Sequence, residues 1–167
     1  MFLSKRTFLT PLGELTGIAS STGLVLLGFA EDLEYYHEKM QKRFPGYRYH
    51  AQFCKTLEKT NDWPQSYFAK PLSKMPLPPL DLQGTPFTLQ AWKALLEIPA
   101  GMTQSYGQLA KSIGYPNACR GVGRAMGENP IAILVPCHRV IGANGKLTGY
   151  SSGLSRKEWL LKHESTS

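Results

Sequence analysis

The chain has 167 residues, enough for one ordinary domain or two small ones, and its apolar fraction of 42% provides for a buried core and argues against disorder. No stretch reaches the roughly eighteen uninterrupted apolar residues of a membrane helix, and the first fifteen hold no apolar core long enough for a secretory signal, so the expected location is the cytoplasm, or the nucleus in a cell that has one. The net charge of +7 is uneven, with ten Lys/Arg against eight Asp/Glu in residues 1–81 but nine against four in 82–167, and a basic C-terminal half suits a polyanionic partner such as nucleic acid.

Residues 1–9 and 14–30 hold apolar and β-branched runs broken by Pro11-Leu12-Gly13 and Ser20-Ser21-Thr22-Gly23, which suggests a meander of two or three strands. EDLEYYHEKMQKRF (31–44) reads as a helix, acidic at its start, basic at its end, and stopped by Pro45-Gly46. YRYHAQFC (47–54) alternates like a further strand, and 62–69 suits a short helix. KPLSKMPLPPL (70–80) holds four of the twelve prolines, cannot be helical, and reads as an extended linker. The expected domains are therefore 1–80, a small α/β unit, and 81–167, a largely helical one.

In the second half, TPFTLQAWKALLEIP (85–99) opens with Thr85 as a candidate N-cap and Pro86 at the first helical position. SYGQLAKSIG (105–114) and ACRGVGRAMGEN (118–129) are two short helices around a YPN turn, the pattern of a helix-turn-helix. The later one carries Gly121, Gly123 and Gly127, each costing about 1 kcal/mol of helix propensity relative to alanine. Close packing against another helix explains them, and so does close approach of a nucleic-acid strand, which Arg120 and Arg124 favour. LSRKEWLLKHE (154–164) is a last amphipathic helix.

The chemistry gathers at VPCHRV (135–140), where Cys137 precedes His138. Such a pair is compatible with a metal fragment, half of a disulfide, a nucleophile with its base, or packing alone. An odd count of three widely spaced cysteines, Cys54, Cys119 and Cys137, argues against a disulfide framework. No Cys-x-x-Cys exists and no histidine stands at ligand spacing from a thiol, so no metal site and no cofactor are expected.

Five blocks occur in order: T-x-S-Y-G-x-L-A (103–110), the arginine helix, E-N-P (128–130), P-C-H-R-V (136–140) and G-Y-S-S-G-L-x-R-K-x-W-L-L-x-H-E (149–164). Together they resemble the O6-alkylguanine-DNA alkyltransferases, strongly over residues 84–164 and only in architecture before residue 80. The resemblance implies an N-terminal α/β domain of ribonuclease H-like shape and a helical domain with a winged helix-turn-helix. It implies a monomeric, single-turnover protein that binds double-stranded DNA containing O6-alkylguanine, flips the base through the minor groove, and moves the alkyl group to Cys137. O4-methylthymine is expected as a secondary substrate.

A displacement at sp³ carbon wants a soft nucleophile, which a thiolate supplies, and the thioether product is not readily cleaved. By resemblance, His138 is the base acting through a water, Glu164 orients it, and Asn129 holds the reactive loop. Tyr106 drives base rotation and donates to guanine N3. Arg120 is the intercalating finger, with Arg124, Ala118, Gly121, Thr103, Gln104 and Ser105 beside it on the DNA. Met126, Val140, Tyr150, Ser151 and Ser152 would form the base pocket. Ser152 replaces a glycine frequent there, and its hydroxymethyl group is expected to narrow the pocket. Cys54 and Cys119 are read as small packing residues, Pro136 as a stiffener of the reactive loop, and Arg139 as an ion-pair partner. Two other readings, a lesion binder without transfer and a regulator that senses alkylation, fit less well. The first lacks the cysteine, and the second needs a longer chain with a zinc-binding domain.

Overall fold

The computed structural model describes residues 1–49, 55–69 and 76–165. They divide into two compact units, one of 1–49, 55–69, 76–83 and 130–132, the other of 84–129 and 133–165.

In the first unit β1 (Phe2–Thr10), β2 (Gly13–Ala19) and β3 (Leu24–Phe29) form an antiparallel meander, and β4 (Arg48–Tyr49) adds in parallel to β1, giving the order β3-β2-β1-β4. Pro11 and Leu12 make the tight turn, since Thr10 pairs with Gly13 and its hydroxyl donates to the Gly13 carbonyl at 2.6 Å. Gly13 has φ 118°, a conformation that favours glycine. Between β3 and β4 runs α1 (Leu33–Arg43), entered by one 3-10 turn. Its Tyr36 and Met40 bury against Leu3, Ile18 and Leu26 on one sheet face. A β-carbon at Gly28 would stand 3.0 Å from the Tyr36 ring, so the bare backbone there lets the helix lie down. On the other face, Leu57 of α2 (Lys55–Ala69) reaches Gly17 beside Phe8.

Two expectations need adjustment. The helix expected at 62–69 begins at Lys55, with Pro64 inside it. A mid-helix proline removes one bond and costs about 3 kcal/mol, and burial of Leu57, Trp63 and Tyr67 offsets it. Of the strand expected over 47–54, only Arg48–Tyr49 is strand among the described residues, and 50–54 and Cys54 lie outside them.

The described end of the proline-rich segment runs extended along β3, with Leu24 N–H donating to the Pro79 carbonyl at 2.8 Å and Asp81 N–H to that of Leu24 at 2.9 Å. Asp81 then accepts from the Ser20 and Thr22 hydroxyls of the β2–β3 turn at 2.6 and 2.8 Å. At Gly23 any β-carbon would collide with the backbone of Leu80 and Asp81 at 2.7 Å. Residues 130–132 continue the cover, since Leu27 exchanges backbone hydrogen bonds with Pro130 and Ala132. The β3 edge is thereby closed to further strands.

The second unit packs α3 (Pro86–Leu96), α4 (Tyr106–Ser112), α5 (Cys119–Gly127) and α6 (Leu154–Ser165). Thr85 caps α3 through the Thr88 N–H, and Ser105 and Gln108 cap α4 reciprocally. Trp92, fully buried, donates from its indole to the Ala125 carbonyl at 2.8 Å, locking α3 to α5 over Ala91, Leu95, Leu109 and Val122. A parallel pair that the sequence pattern did not indicate, β5 (Gln104–Ser105) with β6 (Val140–Ile141), ties the start of α4 to the chain just after VPCH. Among the described residues no helix is long and apolar enough to cross a membrane.

Candidate active site

Cys137–Arg139 form one turn of 3-10 helix between Pro136 and β6. In an extended segment neighbouring side chains point apart, but with three residues per turn they fan out about 120° from one another. Cys137 and His138 both point inward, 7% and 0% exposed. The turn is held by the Cys137 N–H on the Val135 carbonyl and the Arg139 N–H on that of Pro136. Asn129, just past α5, donates its amide to the Val135 carbonyl at 2.8 Å and to Cys137 Sγ at 3.2 Å. One side chain thus closes the loop and touches the sulfur.

Behind the turn lies the buried face of α6, where Lys157, Leu160 and Glu164 share one stripe. His138 Nε2 lies 2.9 Å from Glu164 Oε1. Arg139 donates to both oxygens of the same carboxylate, Nε to Oε2 at 2.9 Å and Nη2 to Oε1 at 2.7 Å. Burial opposes the charge on Glu164, but the bonds and charges of His138 and Arg139 outweigh it and hold the carboxyl well below its usual range. The proton between His138 and Glu164 therefore sits on Nε2, and Nδ1, buried and without a partner among the described residues, keeps its lone pair. Burial is the largest influence on His138 and pulls its pKa below the ordinary imidazole value despite Glu164, so it is a neutral base. Burial also pushes the Cys137 thiol up, which the Asn129 bond and the Lys157 charge only partly offset.

Lys157 is 1% exposed. Its ammonium donates to three carbonyls, those of Val140 at 2.6 Å, Thr148 at 3.1 Å and Gly149 at 3.2 Å. Burial lowers its pKa, and the nearby cysteine opposes that. Sequence reasoning assigned this lysine no role. The signal was present, since Lys157 and Glu164 are charged residues seven apart on the apolar stripe of α6.

Cys137 lies in the wall of a cavity of about 310 Å³ lined also by Tyr106, Gly123, Met126, Gly127, Gly149, Tyr150 and Ser151. Of the residues expected to form the base pocket, Met126, Tyr150 and Ser151 line this cavity, together with Tyr106. Val140 and Ser152 do not line it. The Val140 carbonyl is engaged by Lys157, and Ser152 is buried with its carbonyl accepting from Arg156 at 3.2 Å. The expectation that Ser152 narrows the pocket is therefore corrected. Three glycines leave the cavity wide, and Gly127 has open space where a β-carbon would go.

The opposite face of α5 borders a second groove, lined by Arg120, Gly121, Arg124 and Glu128 with Thr85, Phe87 and Thr88. Both arginines are exposed. Gly121 is explained by packing, because a β-carbon there would stand 3.2 Å from Phe87. Ala118 is the N-cap position of α5, Thr103 is exposed, and Gln104 and Ser105 are the two residues of β5. Cys119, expected to pack, is exposed.

A cysteine on a pocket wall, backed by a buried His–Glu pair and flanked by two short helices with exposed arginines, stands in a protein of mixed α/β fold. Residues 86–166 match the family model described as the 6-O-methylguanine DNA methyltransferase, DNA binding domain. A methylated-DNA–protein-cysteine methyltransferase of Shigella flexneri is 44% identical over 160 residues, 93% of this chain and 91% of that protein. The crystal structure of the Mycobacterium tuberculosis O6-methylguanine methyltransferase superposes with TM-score 0.77 at 42% identity, covering 98% of this chain and 93% of that one. That of M. tuberculosis OGT in complex with DNA gives 0.78 at 41%, covering 99% and 94%. The chain belongs to the family of methylated-DNA–protein-cysteine methyltransferases.

Proposed function

We propose that this protein repairs DNA by moving the alkyl group of O6-methylguanine, and secondarily of O4-methylthymine, to its own Cys137. The observation that carries the reading is the Cys137 sulfur in the cavity wall with the neutral His138, bonded to Glu164 at 2.9 Å, behind it.

The sulfur attacks the alkyl carbon as the carbon–O6 bond breaks. One water, bonded to Sγ and to His138 Nδ1, passes the thiol proton to the imidazole, and Glu164 steadies the imidazolium that forms. The departing base needs a proton to leave neutral, and Tyr106, in the cavity wall, supplies it at N3. That proton is replaced from the relay, so the thiol's proton ends on guanine and the thioether stays on the protein. With no step that regenerates the thiol, each molecule acts once. Asn129 fixes the loop and orients Sγ. Met126, Tyr150 and Ser151 enclose the base.

The target lies inside a duplex, so the nucleotide must be swung out. Arg120, exposed on α5, fills the gap from the minor groove, with Arg124, Ala118, Gly121, Thr103, Gln104 and Ser105 along the strand. The meander with α1 supports a ribonuclease H-like shape for the first domain, with a boundary near residue 80. The α4–α5 pair with the β5–β6 ladder supports a winged helix-turn-helix for the second. The protein acts as a monomer in the cytoplasm, or in the nucleus where there is one.

Incubation with a duplex carrying one O6-methylguanine, followed by peptide mass mapping, tests the reading. One methyl gain confined to Cys137, without turnover in excess substrate, is expected. Repeated turnover, or methyl on Cys119 or Cys54, overturns it.

A further inference from the structure

At rest the Tyr106 hydroxyl is spent elsewhere: it donates to the Thr148 carbonyl at 2.8 Å. A tyrosine has one hydroxyl proton, so donation to a base in the cavity requires that this bond be given up. Thr148 O then loses a donor, and a base seated in the cavity keeps water from replacing it, so the carbonyl is left dependent on a protein donor. Lys157 Nζ already stands 3.1 Å from the same oxygen and 6.0 Å from the centroid of the Tyr106 ring. Its other protons are committed to Val140 and Gly149, and its methylene stem is buried, so the ammonium stays where it is.

We propose that Lys157 is a positioning residue that frees the Tyr106 hydroxyl: it keeps the Thr148 carbonyl satisfied while the hydroxyl swings from that carbonyl to N3 of the flipped base. The inference rests on the assignment of Tyr106 as the N3 donor. Three carbonyls shared by one ammonium also fix the 148–149 rim of the cavity to the residue that follows the reactive turn. A change of partner by Tyr106 therefore leaves the pocket wall in place. The lysine touches no substrate and acts through the tyrosine.

Single-turnover transfer from two duplexes, one with O6-methylguanine and one with its 3-deaza analogue, which lacks the N3 acceptor, tests this. The wild-type protein is expected to react more slowly with the analogue. Lys157→Met keeps the stem and removes the donors. Its lost charge beside Cys137 is expected to slow both duplexes, and transfer from O6-methylguanine is expected to fall about tenfold or more beyond that from the analogue, the loss of about 1.4 kcal/mol of transition-state stabilisation. A lysine that only braces the fold slows both substrates equally, and that result overturns the inference while leaving Tyr106 in its role. Equal wild-type rates on the two duplexes instead overturn the N3 assignment itself. Lys157→Gln, which retains two N–H donors, repeats the comparison should the methionine variant not fold, and the same selective loss, smaller in size, is expected. In a Tyr106→Phe background, Lys157→Met should slow the two duplexes equally. A larger loss on O6-methylguanine than on the analogue there counts against the proposal.

Discussion

Glu164 receives three donors from two consecutive residues, and this makes the pair PCHR more than a nucleophile with a neighbour. Cys137 and His138 were legible because they are adjacent and because a cysteine before a histidine is a short list of chemistries. Their joint inward direction was not legible, since it depends on a 3-10 turn whose bonds run to Val135 and Pro136. Lys157 was missed because a lysine in an amphipathic helix is ordinarily solvated. The geometry makes a claim about pH. The resting pair is a neutral thiol and a neutral imidazole, and His138 is held below the usual value of about 6.5. Single-turnover transfer should therefore stay within about twofold from about pH 8 to about pH 6, a window in which an unperturbed imidazole of pKa about 6.5 would lose most of its base form. A half-maximal point at 6.5 or above would show that burial does not hold the ring neutral. Glu164→Gln keeps the shape and removes the charge. It should slow transfer by about a hundredfold or more, with the roughly ten-thousandfold loss seen when a triad acid becomes an amide as the upper end. The same change should cost about 3 kcal/mol of stability in urea unfolding, because the guanidinium of Arg139 is left unpaired.

Helix α5 separates two grooves, and its glycines divide between them. Gly121 faces Phe87 of α3, while Gly123 and Gly127 line the cavity that holds Cys137. The sequence showed three helix-weakening residues but could not say which served packing and which served the pocket, because that depends on the rotation of α5 about its axis. In α2 the sequence suited a helix only over 62–69, whereas the helix starts at Lys55 and buries Leu57 as well as Tyr67. Caps were easier: Thr85 and Ser105 precede their helices with the spacing that capping chemistry requires. The open space at Gly127 allows a two-part test. Gly127→Ala should raise stability by about 0.5–1 kcal/mol through backbone entropy and leave methyl transfer intact. Gly127→Leu should fill the cavity and penalise an O6-benzyl group at least about tenfold more than O6-methyl, a pocket clash of about 1–3 kcal/mol. Equal penalties for the two groups would place the alkyl substituent away from this wall.

Across the whole molecule, the stability of each unit depends on groups whose protonation differs between the folded and unfolded chain. In the second unit His138 is neutral when folded, with its pKa lowered by burial. The unfolded chain takes up a proton near pH 6.5 that the folded one refuses, so this contribution is present above about 6.5 and falls by up to about 1.4 kcal/mol per pH unit below it. Glu164 moves the opposite way in charge and the same way in stability. Its folded pKa is depressed, so its contribution is present above about 4.3 and is lost as pH falls toward the lower folded value. In the first unit, burial opposes ionisation of Asp81, but hydrogen bonds from Ser20, Gln83 and Thr22 prevail and lower its pKa, so its contribution likewise disappears below about 3.9. The clasp it makes was not legible in the sequence, because Ser20 and Asp81 are far apart in the chain and only the course of residues 79–81 along β3 brings them together. The melting temperature should therefore be level above about pH 7, decline from about 6.5, and drop more steeply below about 4, where the carboxylates protonate. His138→Gln should remove the upper decline and Asp81→Asn part of the lower one, each measured by calorimetry across the pH series. A wild-type curve that is level from about 6.5 down to about 5, a range set by the free imidazole value, would mean that the folded protein protonates His138 as readily as the unfolded chain does, and the neutral base at the centre of the mechanism would go with it.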